Sequence, residues 1–176
     1  MVGKRLMCII AVGDGIKTVD YATVNIVSPV GTLRVLFTET EVIRVDIVSR
    51  AVTKPNNAAS VMAKKINQQF TRYFAQPDRT ISLPMKPVGT AFQQRVWRAL
   101  QAIPVGETLS YGDLAKKLNS SARAVGNACR ANPLPVIVPC HRVVAKTGLG
   151  GYSGKTQGRQ IAIKQWLLEH EGAHVS

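Results

Sequence analysis

"SYGDLAKKLNSSARAVGNACRANPLPVIVPCHRVV", residues 110–144, is the stretch on which the reading of this chain turns. Ser110 stands before "YGDLAKKL" as a helix N-cap, with Asp113 three residues on in a capping-box-like place. After the polar "NSS", the segment "ARAVGNACRAN" (122–132) is small and helix-compatible, and it is closed by Asn132 and Pro133. Two short helices with a tight polar connection make a helix-turn-helix candidate, the second being the recognition helix. On that helix Ala122, Ala124, Gly126, Ala128 and Ala131 leave one face almost without bulk, while Arg123 and Arg130 supply charge. Such a face suits close approach to a groove, and it equally suits an Ala-rich packing helix.

The next segment, "LPVIVPCHRVV" (134–144), is apolar and β-branched and reads as a buried strand, with Pro139 breaking the ladder just before Cys140. A buried cysteine alone is usually inert. Here it has His141 and Arg142 beside it, and a thiolate, the reactive form, is stabilised by positive or donor groups. In an extended chain Cys140 and His141 point to opposite faces, so a bend after Pro139 or a bridging water must connect them. Further on, "IKQWLLEHEG" (163–172) reads as a helix with Ile163, Trp166 and Leu167 inward. Its end offers Glu169 or Glu171 as a carboxylate that could fix the histidine tautomer. The glycine-dense "KTGLGGYSGKTQG" (146–158) between them suits a loop closing over a substrate. It lacks the GxxxxGK[ST] phosphate-loop pattern, and "AVGDG" (11–15) fails as a dinucleotide fingerprint, so no cofactor is expected.

The whole chain has 176 residues and a formal net charge of +13. Before Met85 there are 11 basic against 6 acidic residues, and from Met85 on 12 against 4, so both halves are basic. An excess of this kind draws polyanions, nucleic acid first and an anionic membrane surface second. Cys8, Cys129 and Cys140 are an odd number without CxxC spacing, which argues against a disulfide framework or a Cys-rich zinc site. "LMCIIAV" near the start is too short for a convincing signal peptide, and no apolar stretch is long enough to cross a bilayer. The expectation is a soluble, intracellular protein.

Towards the N-terminus, residues 21–48 are rich in Val, Ile and Thr and read as three short strands joined by tight turns. A helix is expected over 56–77, capped by Asn56 or Asn57, with Val61, Ile66, Phe70 and Phe74 on its face and Pro77 as its stop. "LPMKPVG" (83–89) looks like a linker. Beyond it, "TAFQQRVWRALQAI" (90–103) is a helix with Thr90 as N-cap, Phe92, Val96, Trp97, Leu100 and Ile103 on one face, and Pro104 ending it. The fold class is α+β, in two domains: a small sheet with a helix over 1–85, and a mostly helical domain with the helix-turn-helix over 86–176.

Laid out in order, "GTAFQQRVWRALQAIPVGETLSYGDLA", "ARAVGNACRANP", "VPCHRVV", "GGYSG" and "WLLEHEG" closely resemble the O6-alkylguanine-DNA alkyltransferases across residues 89–172. The earlier "SPVGTLRV" followed by a helix is more loosely similar to that family's ribonuclease-H-like first domain. The resemblance implies that Cys140 is the alkyl acceptor, His141 its water-linked base and Glu171 the carboxylate that orients the histidine. It implies that Asn132 is a hinge tying the recognition helix to the acceptor segment, Arg123 a finger entering the base stack, and Tyr111 the residue that crowds the target phosphate and can reach the purine. Val143, Gly151, Tyr152, Ser153 and Gly154 match positions lining a guanine pocket. The implied partner is double-stranded DNA containing O6-alkylguanine, met through the minor groove by a monomer, with the nucleotide flipped out and one repair per molecule.

Two departures stand out. The turn between Tyr111 and Arg123 is shorter than in many relatives, and the step from "YSG" to Trp166 is longer, with Lys155 where a second glycine is usual. Cys8 has no second cysteine or histidine nearby, and no metal is expected. The rival readings are a cysteine hydrolase using Cys140 and His141, and a non-catalytic lesion sensor or regulator. Sensors of the alkyltransferase-like kind lack the acceptor cysteine.

Overall fold

The computed structural model describes residues 6–12, 15–49, 60–76 and 78–173. Its first layer is a four-stranded antiparallel sheet in the order β1-β2-β3-β4, formed by Leu6–Val12, Gly15–Ser28, Gly31–Phe37 and Val42–Val48. The three strands expected over 21–48 are β2, β3 and β4. β2 reaches back to Gly15 and pairs with β1, which the sequence presented only as a short apolar patch; a continuous apolar run carries no period by which to recognise it. Along β3, Leu33, Val35 and Phe37 are buried on one face, Arg34 is exposed and Leu36 half-buried on the other, and Thr32 is buried beside Leu33.

Helix α1 (Val61–Ala75) packs Met62, Ala63, Ile66, Phe70 and Tyr73 inward. Two expectations need correction here. The cap is Ser60, whose side chain accepts from the Ala63 N–H, so the helix begins later than 56, and Val61 is exposed. Asn56, Asn57 and Pro77 lie outside the described residues. The 83–89 stretch is docked rather than free: Leu83 is buried, the Val42 N–H donates to the Pro84 carbonyl at 2.8 Å, and Met85 bridges to Val42.

Helix α2 (Ala91–Gln101) starts as expected at Thr90, with a full capping box to Gln93, and buries Val96, Trp97 and Leu100. A two-residue strand β5 (Leu109–Ser110) leads into α3 (Tyr111–Lys117) and α4 (Ala122–Arg130), capped by Ser110 and Ser121. The Trp97 indole N–H donates to the Ala128 carbonyl at 2.9 Å and pins α4 to α2. The chain continues through a short strand β6 (Val143–Val144), parallel to β5, to α5 (Arg159–His170). Among the described residues the main hydrophobic core runs from Val24 in the sheet to Leu167 in α5, and a small second cluster joins Val144, Leu168 and Ala173. Further ties cross it: the Val45 N–H donates to the Pro133 carbonyl, and Arg159 donates to the Val30 carbonyl.

The expected strand at 134–139 does not form. Pro133, Pro135 and Pro139 bring no N–H to a ladder, and the segment folds into successive turns. Val138 donates back to the Leu134 carbonyl at 2.8 Å, and Val136 is held at φ +74, a conformation costly for a β-branched residue. Across Pro139 (φ −79, ψ 64) the Cys140 N–H reaches the Val138 carbonyl at 2.8 Å, an inverse γ-turn. Cys140–Arg142 then forms a single 3-10 turn. The bend that the Cys-His step required is therefore present.

Candidate active site

Cys140 sits on this bend, only 5% exposed, at the wall of a pocket of about 400 Å³. Asn132, just past the end of α4, holds the bend through three hydrogen bonds. Its Nδ2 donates to the Val138 carbonyl at 2.9 Å and to Cys140 Sγ at 3.2 Å, and its Oδ1 accepts from the Leu134 N–H. The helix and the thiol are thus tied through one side chain. Burial pushes the Cys140 thiol up, and the Asn132 bond and the Lys164 charge pull it down less than burial raises it. The resting group is a thiol, so a base is needed.

His141 is fully buried, and its Nε2 lies 3.1 Å from Glu171 Oε1. Glu171 settles the choice left open with Glu169, which is exposed and bonded to Gln165 instead. Four donors converge on the Glu171 carboxylate: His141 Nε2, Arg142 Nε at 2.7 Å, Arg142 Nη2 at 2.8 Å and the Tyr73 hydroxyl at 2.8 Å. Burial pushes the carboxyl up, but the hydrogen bonds from Arg142 and His141 and the Arg142 charge outweigh it and hold it at about 2. An ionised carboxylate only accepts, so His141 carries its proton on Nε2 and leaves Nδ1 as the basic nitrogen. Nδ1 has no partner among the described residues. Burial also pushes the imidazole down, against the pull of Glu171, and keeps it neutral.

Arg142 corrects one expectation. It stabilises no thiolate: beyond Glu171 it donates through Nη1 to the Ile103 carbonyl at 2.6 Å, so its charge is committed to the carboxylate and the end of α2. Two residues of the site were not expected at all. Tyr73 comes from α1, 98 residues from Glu171, and no local pattern announces it. Lys164 is fully buried, and its ammonium donates to the carbonyls of Val143 and Leu149 at 2.6 Å each and Gly151 at 3.0 Å. Burial lowers it to about 8. Its place was legible: Lys164 stands three and four residues before Leu167 and Leu168, on the face that α5 buries.

The pocket is lined by Tyr111, Ala122 and Gly126 on one side, by Cys129 and Cys140 in its depth, and by the 151–156 loop on the other. Of the residues expected there, Gly151, Tyr152, Ser153 and Gly154 line it, and Val143 does not, being fully buried behind Lys164. Lys155 and Thr156 join the rim. Tyr111 donates to the Gly151 carbonyl at 2.9 Å, and the buried Tyr152 hydroxyl lies beside the Cys140 thiol. Ser153 and Gly154, both at positive φ, form the tip of a tight turn closed by paired bonds between Tyr152 and Lys155. At Gly154 a Cβ would also meet Arg130 Nε at 2.6 Å.

On α4 the residues open to solvent are Ala122, Arg123, Asn127 and Arg130, and the half-buried Gly126 lies among them at the pocket with nothing within 4 Å of where its Cβ would be. Ala128 is buried against α2, so it leaves the small-residue face that the sequence suggested. Asn127 takes a place there that its sequence context did not announce.

Residues 91–173 match the family model described as the 6-O-methylguanine DNA methyltransferase DNA-binding domain. A probable methylated-DNA–protein-cysteine methyltransferase of Acanthamoeba polyphaga mimivirus is 37% identical over 148 residues, spanning 81% of this chain and 91% of that protein. The chain belongs to the methylated-DNA–protein-cysteine methyltransferase family. The constitutive family member of Bacillus subtilis is 49% identical over 107 residues, which cover 59% of this chain and 62% of that protein's length. Among solved structures, the O6-methylguanine methyltransferase of Mycobacterium tuberculosis superposes with a TM-score of 0.71 at 34% identity, covering 86% of this chain and 93% of that one. A structure of the M. tuberculosis protein in complex with DNA gives 0.68 at 34% identity, covering 84% and 91%. Among the described residues no helix is long and apolar enough to cross a membrane.

Proposed function

We propose that this methyltransferase-family chain repairs duplex DNA by taking the alkyl group of O6-alkylguanine onto Cys140, once per molecule. The observation that carries the reading is the Asn132 junction: one side chain bonds the candidate acceptor sulfur and sits at the end of the helix whose exposed face would meet DNA. In this reading α4 enters the minor groove with Ala122 and Gly126 foremost. Arg123 fills the space left in the stack, and Tyr111 crowds the target phosphate. Flipping the nucleotide costs a few kcal/mol, offset by the wedge and by phosphate contacts.

The flipped guanine enters the pocket beside Cys140. His141 Nδ1 takes the thiol proton through one water, and Glu171 accepts the Nε2–H as charge develops on the ring. The sulfur attacks the alkyl carbon, and the bond from carbon to guanine O6 breaks. The negative charge on the leaving purine is met by a donor, the Tyr111 hydroxyl turning from Gly151 or a backbone N–H of the loop. A thioether resists hydrolysis at neutral pH, so in this reading the reaction ends there. We extend the proposal to O4-alkylthymine as a second substrate. We further propose that the protein acts as a monomer inside the cell, with residues 1–85 as a ribonuclease-H-like domain supporting the DNA-binding and acceptor domain 86–176. A Cys140→Ala protein tests the reading: it should retain binding to a duplex with O6-methylguanine in a mobility-shift titration and lose all transfer. Residual transfer would point to another acceptor.

A further inference from the structure

The pocket holds a second thiol that the proposed reaction does not use. Cys129, in the last turn of α4, lines the same 400 Å³ cavity as Cys140, and both are free. It stands one helical turn before Asn132, whose amide is 3.2 Å from Cys140 Sγ, and both cysteines border the cavity that an alkyl group on Cys140 would enter.

We propose that Cys129 is a second acceptor for bifunctional lesions, closing an alkylene bridge to Cys140 when the transferred group carries a leaving group at its far end. This rests on the reading of Cys140 as first acceptor. For an O6-(2-haloethyl)guanine, the first step forms the Cys140 S–C bond and releases guanine, leaving a 2-haloethyl thioether. The Cys140 sulfur assists departure of the halide. The Cys129 sulfur then supplies its electron pair to the carbon, and halide and the Cys129 proton leave to solvent. Two thioethers result, with no oxidant or reductant.

Burial pushes the Cys129 thiol up, and so does a negative charge on Cys140, while the Lys164 charge lowers it. Once alkylated, Cys140 can no longer become a thiolate that would raise Cys129, and the Lys164 contribution stays in place. The order follows from the chemistry, since Cys129 has an electrophilic carbon to attack only after the first transfer. The bridge would also retain inside the protein a group that could otherwise alkylate the DNA it came from.

The test uses the full chain and duplex oligonucleotides carrying one O6-(2-fluoroethyl)guanine or one O6-(4-bromobutyl)guanine, followed by intact mass and tryptic mapping. Trypsin separates Cys129, in residues 124–130, from Cys140, in residues 131–142. The expected product from at least one duplex is these two peptides joined by an alkylene group in place of two hydrogens. Open or hydrolysed adducts on Cys140 alone with both duplexes, or a bridge from Cys140 to DNA or to any other residue, overturn the proposal and leave the acceptor reading intact. If Cys140 is not alkylated at all, both fall together.

Discussion

Replacing Glu171 with Gln probes the most heavily bonded group near the candidate acceptor. The carboxylate is fully buried with Arg142, His141 and Tyr73 on it, and Arg142 is itself 4% exposed. Its pKa falls from 4.5 to about 2, which corresponds to about 3 kcal/mol in favour of the ionised folded state. A similar size follows from leaving a buried arginine without its partner, about 3–5 kcal/mol. The sign is that of a depressed carboxylate: the stabilisation is complete well above 4.5 and is lost as pH falls through the window towards 2. Urea unfolding of wild type and Glu171→Gln should differ by about 3 kcal/mol at neutral pH, shrinking to about 2 kcal/mol near pH 3.5. The variant should also transfer alkyl groups more slowly, since a Gln no longer obliges His141 to keep its proton on Nε2. A difference below about 1 kcal/mol, or one that does not change with pH, refutes the reasoning.

Two further substitutions separate other parts of the mechanism. Lys164→Met removes the donors to Val143, Leu149 and Gly151, but also a buried charge whose pKa of about 8 records its cost. Stability should change by less than about 2 kcal/mol while the single-turnover rate drops at least about tenfold, the loop having lost its anchor; an unchanged rate counts against that anchoring role. Arg123→Ala should slow repair in a duplex by about tenfold or more and leave reaction with a free O6-benzylguanine-like base almost unchanged, because only the duplex requires extrusion. Comparable losses on both substrates would remove the finger role.

Local rules made much of this molecule legible. The caps at Thr90 and Ser110 and the apolar face of α2 are written within a few residues, and the structure follows them. At 134–139 the β-branched residues suggested a strand, and the prolines at 133, 135 and 139, which a ladder cannot accept, decided for turns instead. Ala128 and Gly126 look alike in sequence; only the docking of Trp97 on α4 separates the buried one from the open one. Glu169 and Glu171 could not be told apart without the chain's tertiary course, which brings Arg142 and Tyr73 to the second and solvent to the first. Arg142 was expected beside the thiol because it is next but one in sequence, whereas the 3-10 turn swings it towards α5.

The most direct test of the central claim is the mass of the protein after incubation with an excess of duplex carrying a single O6-methylguanine. The expected result is a gain of one methyl group, mapped to Cys140, that persists and does not increase with further substrate. No gain, a methyl group on another residue, or repeated turnover by one protein molecule would contradict it.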